Sequence, residues 1–110
     1  MLLYNITVKV DRTVASEWLQ WMKEVHIPDV MMTNQFVEYR LFRILGEVED
    51  DGVTYAVQYL CESIDKFRHY QDHFAQKLQA DHSHRYKDKY VAFRTLMELV
   101  DHNSRISAEN

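Results

Sequence analysis

At positions 49–52 the chain reads Glu-Asp-Asp-Gly, between two runs in which apolar and polar residues alternate. Asp-Gly between alternating runs is the strongest short-range hairpin signal, because a two-residue type I′ turn needs positive φ at both central positions. An Asp51-Gly52 turn makes 36–49 and 53–62 antiparallel neighbours and splits the chain into one piece before the hairpin and one after. It also predicts register: Asp50 against Val53, Val48 against Tyr55, Ile44 against Tyr59 and Phe42 against Cys61. One hairpin face then carries Phe42, Ile44, Val48, Tyr55, Val57, Tyr59 and Cys61, a continuous core face.

The flanking pieces repeat one plan. Residues 2–10 alternate, with Tyr4, Ile6, Val8 and Val10 on one side and Asn5, Thr7 and Lys9 on the other, which predicts a strand. Asp11 can cap a helix whose apolar stripe is Val14, Trp18, Trp21, Met22 and Val25. Pro28 should end it, since proline lacks the donor and disfavours helical geometry at Ile27. After the hairpin, Ser63 can cap a helix over about 64–84 with the stripe Phe67, Tyr70, Phe74 and Leu78. A polar stretch, 82–90, leads to a last strand at about 91–100. Val91, Phe93, Met97 and Leu99 share one of its faces; Ala92, Arg94, Leu96, Glu98 and Val100 share the other.

The resulting order, β-α-β-β-α-β, predicts an α+β ferredoxin-like fold with a four-stranded antiparallel sheet and two helices on one face. A single domain covers residues 1–101, and 102–110 read as a flexible tail. The 110 residues leave no room for a second domain, yet suffice for a core without disulfides. Two helices cover only one face of such a sheet. The other face should be polar, but the predicted faces place Val37, Tyr39, Leu41, Leu45, Ala56, Leu60 and Leu96 there. A second copy packed sheet against sheet is the simplest cover, so the sequence predicts a homodimer through this second face.

The chain carries 13 Lys and Arg against 17 Asp and Glu. That balance argues against nucleic acid as a partner. No apolar run is long enough for a membrane span, and the alternating N-terminus, without a basic region, reads as a strand and not as a leader. One cysteine, Cys61, excludes an internal disulfide. A cytoplasmic protein is the expectation.

The strings MLLYNITVKVD (1–11), WLQWMKEVHIPDVM (18–31), GVTYAVQYLCES (52–63), YQDHFAQKLQADHSHRYKDKYVAFRT (70–95) and LMELVD (96–101) carry a resemblance. Over residues 1–101 the chain resembles the small bacterial family called domain of unknown function 4286, within the dimeric α/β barrel superfamily. The resemblance implies a ferredoxin-like fold and a dimer whose sheets enclose a barrel. Superfamily relatives include cofactor-independent monooxygenases, haem-degrading enzymes, isomerases and stress proteins. The nearer family has no assigned activity, so it carries no catalytic residue over.

The candidate ligand-binding set is Asn5, Tyr39, Arg43, Gln58 and Arg94, all predicted on the second sheet face with Thr7 and Glu98. A few convergent polar groups in an apolar surface suit a small apolar or anionic ligand, with Arg43 and Arg94 holding the anion. The same residues suit a dimer interface even better, with the arginines pairing with Glu98 or Glu47 of either subunit, since Arg and Tyr are enriched at interfaces. His26, at the edge of the first stripe, and Tyr39 are the candidate catalytic residues for moving a proton. As plain structure, His26 is a cation at a helix C-terminus. His69 and His73 are four apart but fall away from the apolar stripe, and His82 and His84 have no third ligand. No metal site and no cofactor are therefore assigned. Cys61 reads as a buried core thiol beside Phe42.

Two functions follow. One is a homodimeric module that binds a small molecule or a partner without catalysis. The alternative is a small cofactor-independent enzyme of monooxygenase or isomerase type working inside the barrel. Haem or metal binding through His26 or His82 is a third, weaker reading.

Overall fold

The computed structural model describes residues 1–46 and 51–105. Strand β1 spans Leu2–Asp11, β2 Glu38–Arg43, β3 Gly52–Cys61 and β4 Tyr90–Glu98. Helix α1 covers residues 12–31 and α2 covers 64–85. All pairings are antiparallel, in the order β2-β3-β1-β4. The order of elements is β-α-β-β-α-β, the ferredoxin-like arrangement expected.

Both predicted caps form. The Asp11 carboxylate accepts from the Thr13 N–H at 2.9 Å and its hydroxyl at 2.6 Å. The Ser63 hydroxyl accepts from the Lys66 N–H at 3.2 Å. Such caps satisfy donors that the first helical turn leaves without partners.

Each helix contains one π-turn, Met22–His26 in α1 and Gln71–Ala75 in α2. A π-turn adds one residue to a turn and shifts the apolar stripe. In α1 the buried series runs Ala15, Trp18, Met22 and then, five residues on, Ile27 and Val30; Val25, expected in the stripe, is exposed. In α2 it runs Phe67, Tyr70 and then, again five on, Ala75 and Leu78. The turn also explains why Pro28 does not end α1. The Ile27 N–H bonds five residues back to the Met22 carbonyl, and Pro28 then stands in the first turn of a new α-segment, Ile27–Met31. Proline is tolerated there.

The hairpin register differs from expectation. Tyr39 opposes Tyr59, Leu41 opposes Val57 and Phe42 opposes Ala56. Phe42 is therefore not beside Cys61, and the shift of an odd number of residues turns β2 over. The expected pairs of Val48 and Asp50 fall on residues 47–50, outside the described residues. Gly52 does not have the positive φ that a type I′ turn needs at its second central position, so Asp51-Gly52 does not form that turn. Gly52 already belongs to β3, opposite Asp11. A Cβ there would come within 2.9 Å of two Lys9 side-chain carbons and 3.1 Å of the Val10 carbonyl oxygen. The glycine answers a close strand approach and not a turn.

Cross-strand partners share a face. The helix-covered face carries Tyr4, Val8 and Val10 of β1 and Val53, Tyr55, Val57, Tyr59 and Cys61 of β3, all buried. Cys61 is a free thiol at 0% exposure, its Sγ 3.3 Å from the carbonyls of Gln35 and Ser63. On β4 the helix-covered face holds Tyr90, Ala92, Arg94, Leu96 and Glu98, paired with Val10 to Leu2. The open face carries Leu3, Phe42, Ala56 and Leu60, with Val91, Phe93, Met97 and Leu99 at 40–68% exposure. The second face is apolar, as expected, but largely through other residues than those assigned to it. No helix among the described residues is long and apolar enough to cross a membrane.

Candidate functional site

The five residues assigned to one ligand site separate into three places. Asn5 and Gln58 lie on the open face, where the Gln58 amide donates to the Asn5 side-chain oxygen at 3.2 Å and Asn5 donates to the Thr7 hydroxyl at 3.0 Å. Tyr39 and Arg43 lie on the helix-covered side of the edge strand β2. Arg94 lies on the helix-covered side of the opposite edge strand, β4. Arg43 and Arg94 therefore cannot grip one anion within a subunit. Glu47, a suggested partner for them, falls outside the described residues.

His26 and Arg94 do come together. Between the sheet and both helices, towards β4, is a cavity of about 50 Å³ bordered by His26, His82, Gln79, Tyr90, Arg94 and Tyr4. That is room for about one or two waters. Its apolar floor comes from Ile6, Val8 and Val57 of the sheet.

The π-turn in α1 is what delivers His26 to this cavity. His26 is the last residue of the turn and sits mid-helix, so the expected C-terminal, dipole-facing role does not apply. Its ring stacks on Trp21 at 5.1 Å and meets His82 edge-on at 5.7 Å. Among the described residues His26 makes no hydrogen bond to protein. A half-buried imidazole without a protein partner is free for water or ligand in the cavity.

His82 is held differently. It extends the inward row Leu78, His82, Tyr86 along α2, and its Nε2 accepts from the Trp18 indole N–H at 2.9 Å. That bond requires an unprotonated Nε2 and so places the proton of neutral His82 on Nδ1. Tyr90 meets its ring edge-on at 4.5 Å. Burial is the main force holding His82 unprotonated, helped by the nearby His26 and Arg94; its pKa falls to about 4. Burial also lowers the pKa of His26, against the opposing pull of the Asp29 and Asp81 carboxylates. At neutral pH the cavity holds two neutral imidazoles beside one guanidinium. At its mouth, Arg94 and Gln79 lie near the Tyr4 hydroxyl, whose pKa is raised by burial against the opposing pull of Arg94.

Next to the cavity the helices are clasped together. The Tyr86 hydroxyl and the Arg85 guanidinium both donate to Glu17 Oε2, at 2.8 and 2.9 Å, and Arg85 lies 5.3 Å from the Trp21 ring centroid.

Sequence reasoning singled out His26 and Arg94, took His82 only as a weaker haem or metal candidate, and missed Gln79 and Tyr90. The signal for His82 was present: Leu78, His82 and Tyr86 continue the second stripe at spacings of four. The polar composition of 82–90 concealed it. His84, on the same helix, is exposed. His69 and His73 have rings 4.3 Å apart on the exposed side of α2. Among the described residues no three His, Cys, Asp or Glu side chains converge as a metal site would need.

A ferredoxin-like α+β domain with an apolar open face and a polar cavity under its helices defines the class. The chain belongs to the family described as domain of unknown function 4286, whose model matches residues 1–100. No curated protein matches it in sequence. Among solved structures it is similar to a dimeric ferredoxin-like protein from an uncultured marine organism, at TM-score 0.72 and 10% identity, covering 96% of this chain and 100% of that one. It is also similar to SnoaB, a cofactor-independent oxygenase from Streptomyces nogalater, at TM-score 0.65 and 13% identity, covering 92% and 95%. A third similar structure is MhuD carrying manganese protoporphyrin IX, at TM-score 0.66 and 15% identity, covering 94% and 99%. At such identities the likeness establishes the fold.

Proposed function

We propose that the protein is a cytoplasmic homodimer whose subunits pair through their open sheet faces, and that each subunit's cavity under the helices receives the polar end of a small molecule whose body lies outside it. The observation that carries the binding reading is His26. It is a neutral imidazole whose ring has no protein hydrogen bond among the described residues, beside Arg94 and at a cavity with an apolar floor. Polar groups placed so are costly to folding and signal a ligand. The dimer rests on the exposed Phe42, Val91, Phe93, Met97 and Leu99 and on the dimeric neighbour. A single cysteine, buried in the core, is compatible with the reducing cytoplasm.

Native mass spectrometry of gently purified protein tests both parts. A dimer with retained mass supports the reading, and a bare monomer removes the dimer. Loss of the retained mass in His26→Leu places it in the cavity.

A small cofactor-independent enzyme is the second reading. His26 is an available proton acceptor, and Arg94 would stabilise an anion formed by proton removal. Tyr39, on the far edge strand, does not border this cavity, so it takes no part in the scheme. Its test is turnover of candidate substrates with a pH profile that His26→Gln abolishes. Haem binding fits least: the cavity is small and His82 Nε2 is engaged by Trp18.

A further inference from the structure

We propose that the cleft outside Arg94 is a binding site for a small carboxylate with an apolar body; this deepens the cavity reading and rests on it.

The cleft holds about 330 Å³ and lies between the N-terminal half of α2 and the edge strand β4. Tyr4, Gln79 and Arg94 border both the cleft and the inner cavity, so the two chambers adjoin across a polar wall. β4 lies at the sheet's edge, so no further strand closes this side.

The charge of the cleft runs against that of the chain. The protein carries a formal charge of −4, yet among the described residues no Asp or Glu borders the cleft, while Arg68 and Arg94 both do. Elsewhere Arg40, Lys66, Lys77 and Arg85 sit beside Glu38, Glu62, Asp81 and Glu17. Neither Arg68 nor Arg94 has a carboxylate partner among the described residues. Two guanidiniums without counter-ions on one concave surface form an anion site, since each offers a planar pair of donors. Gln71 and Gln79 can add neutral donors.

The rest of the lining defines the body of the ligand. Ile64, Phe67 and Leu96 make the cleft apolar between its arginines. The volume suits a small molecule and excludes a folded partner. A carboxylate matches two flat forks and an apolar wall. Arg68 owes its place to the helix: Ile64, Arg68 and Gln71 lie on one flank at spacings of four and three, and the π-turn Gln71–Ala75 keeps Gln79 on that flank.

The test uses octanoate and 4-phenylbutanoate, with octanamide and 4-phenylbutanamide as neutral isosteres. Binding is measured by calorimetry and by the ring NMR signals of His26 and His82. The acids are expected to bind more tightly than the amides. Arg68→Gln and Arg94→Gln should each weaken the acids by about tenfold and leave the amides unchanged, the loss of one charge-assisted contact. Circular dichroism confirms that both variants fold.

Amides that bind as well as the acids and still shift the two histidine signals would overturn the carboxylate assignment and leave the cavity reading standing. Millimolar acids and amides that produce neither heat nor shift would overturn both. Acid binding that neither arginine variant weakens would place the anion elsewhere and defeat the proposal.

Discussion

The two faces of the sheet are both apolar and spend that character differently. Under the helices, Trp18, Val10, Ile27 and Val57 are at most 1% exposed, and the polar groups lie at one end around His26, His82 and Arg94. On the open face Phe93 and Val91 are 63% and 68% exposed, and the polar groups Asn5, Thr7 and Gln58 bond to one another across the middle. One face is finished within the chain; the other is a core still lacking its second half. Buried apolar surface without polar exits is what a domain makes for itself, whereas an exposed apolar face with its polar groups already satisfied is suited to a second copy.

The hardest test of that contrast is a charge on the open face. Phe93→Asp is expected to convert the dimer to monomer by analytical ultracentrifugation, because a two-fold interface carries each change twice. Two buried aspartates in place of two phenylalanines correspond to about 5 kcal/mol of association energy. The monomer should keep its helical circular dichroism. A dimer unaffected by Phe93→Asp would mean that this face is not the interface.

On the covered face the largest effect should be on stability. Trp18 is fully buried, packs 5.0 Å from Tyr55 and donates to His82. Trp18→Ala is expected to lower unfolding stability by about 3–5 kcal/mol in denaturant titration, the usual cost of an aromatic-sized cavity. Gly52→Ala should cost less, about 1–2 kcal/mol: the Lys9 side chain can move from the new Cβ, but the Val10 carbonyl cannot move without straining the ladder. A stability unchanged by Gly52→Ala would show that the β1–β3 approach is looser than drawn.

The contrast also explains what the sequence made legible. Period-two and period-3.6 patterns, with the caps Asp11 and Ser63, were enough for the order of elements, because those signals are local. Which face of β4 meets the helices was not legible. Val91, Phe93, Met97 and Leu99 form as convincing a core row as Ala92, Leu96 and Val100, and where both faces are apolar alternation loses its direction. The hairpin failed for a related reason. Asp51-Gly52 resembles a tight turn, but the glycine is required by Lys9 and Val10 on the neighbouring strand, a non-local cause invisible to a local motif. With the register displaced by an odd number, Tyr39 and Arg43 changed faces and parted from Asn5 and Gln58; the supposed anion grip failed because β2 and β4 are opposite edges of the sheet, with β3 and β1 between Arg43 and Arg94. Of the cavity, His26 and Arg94 were visible as residue types. Their meeting depends on the π-turn Met22–His26, which no residue in that stretch announces.

The smallest expected effect at neutral pH is also the sharpest probe of the covered face. His82 has a pKa near 4 in the folded protein against 6.5 when solvated. The unfolded chain therefore takes up this proton first as pH falls, and the folded state, which must give up the Trp18 bond to accept it, lags behind. His82 thus contributes stability that is complete above about pH 6.5, declines below it and is lost by about pH 4. His26, lowered in the same direction, adds to the slope. In His82→Gln the amide oxygen can still accept from the Trp18 indole, and nothing titrates. That variant should unfold within about 1 kcal/mol of the parent at pH 7 yet lose less stability between pH 6.5 and pH 4, leaving the parts due to His26 and to carboxylates such as Glu17 and Glu62, whose pKa values are also lowered. Thermal melts across that range measure it. Parallel pH profiles for the two proteins would mean that His82 is solvated, and the covered face would then be as open at this end as the bare side of the sheet.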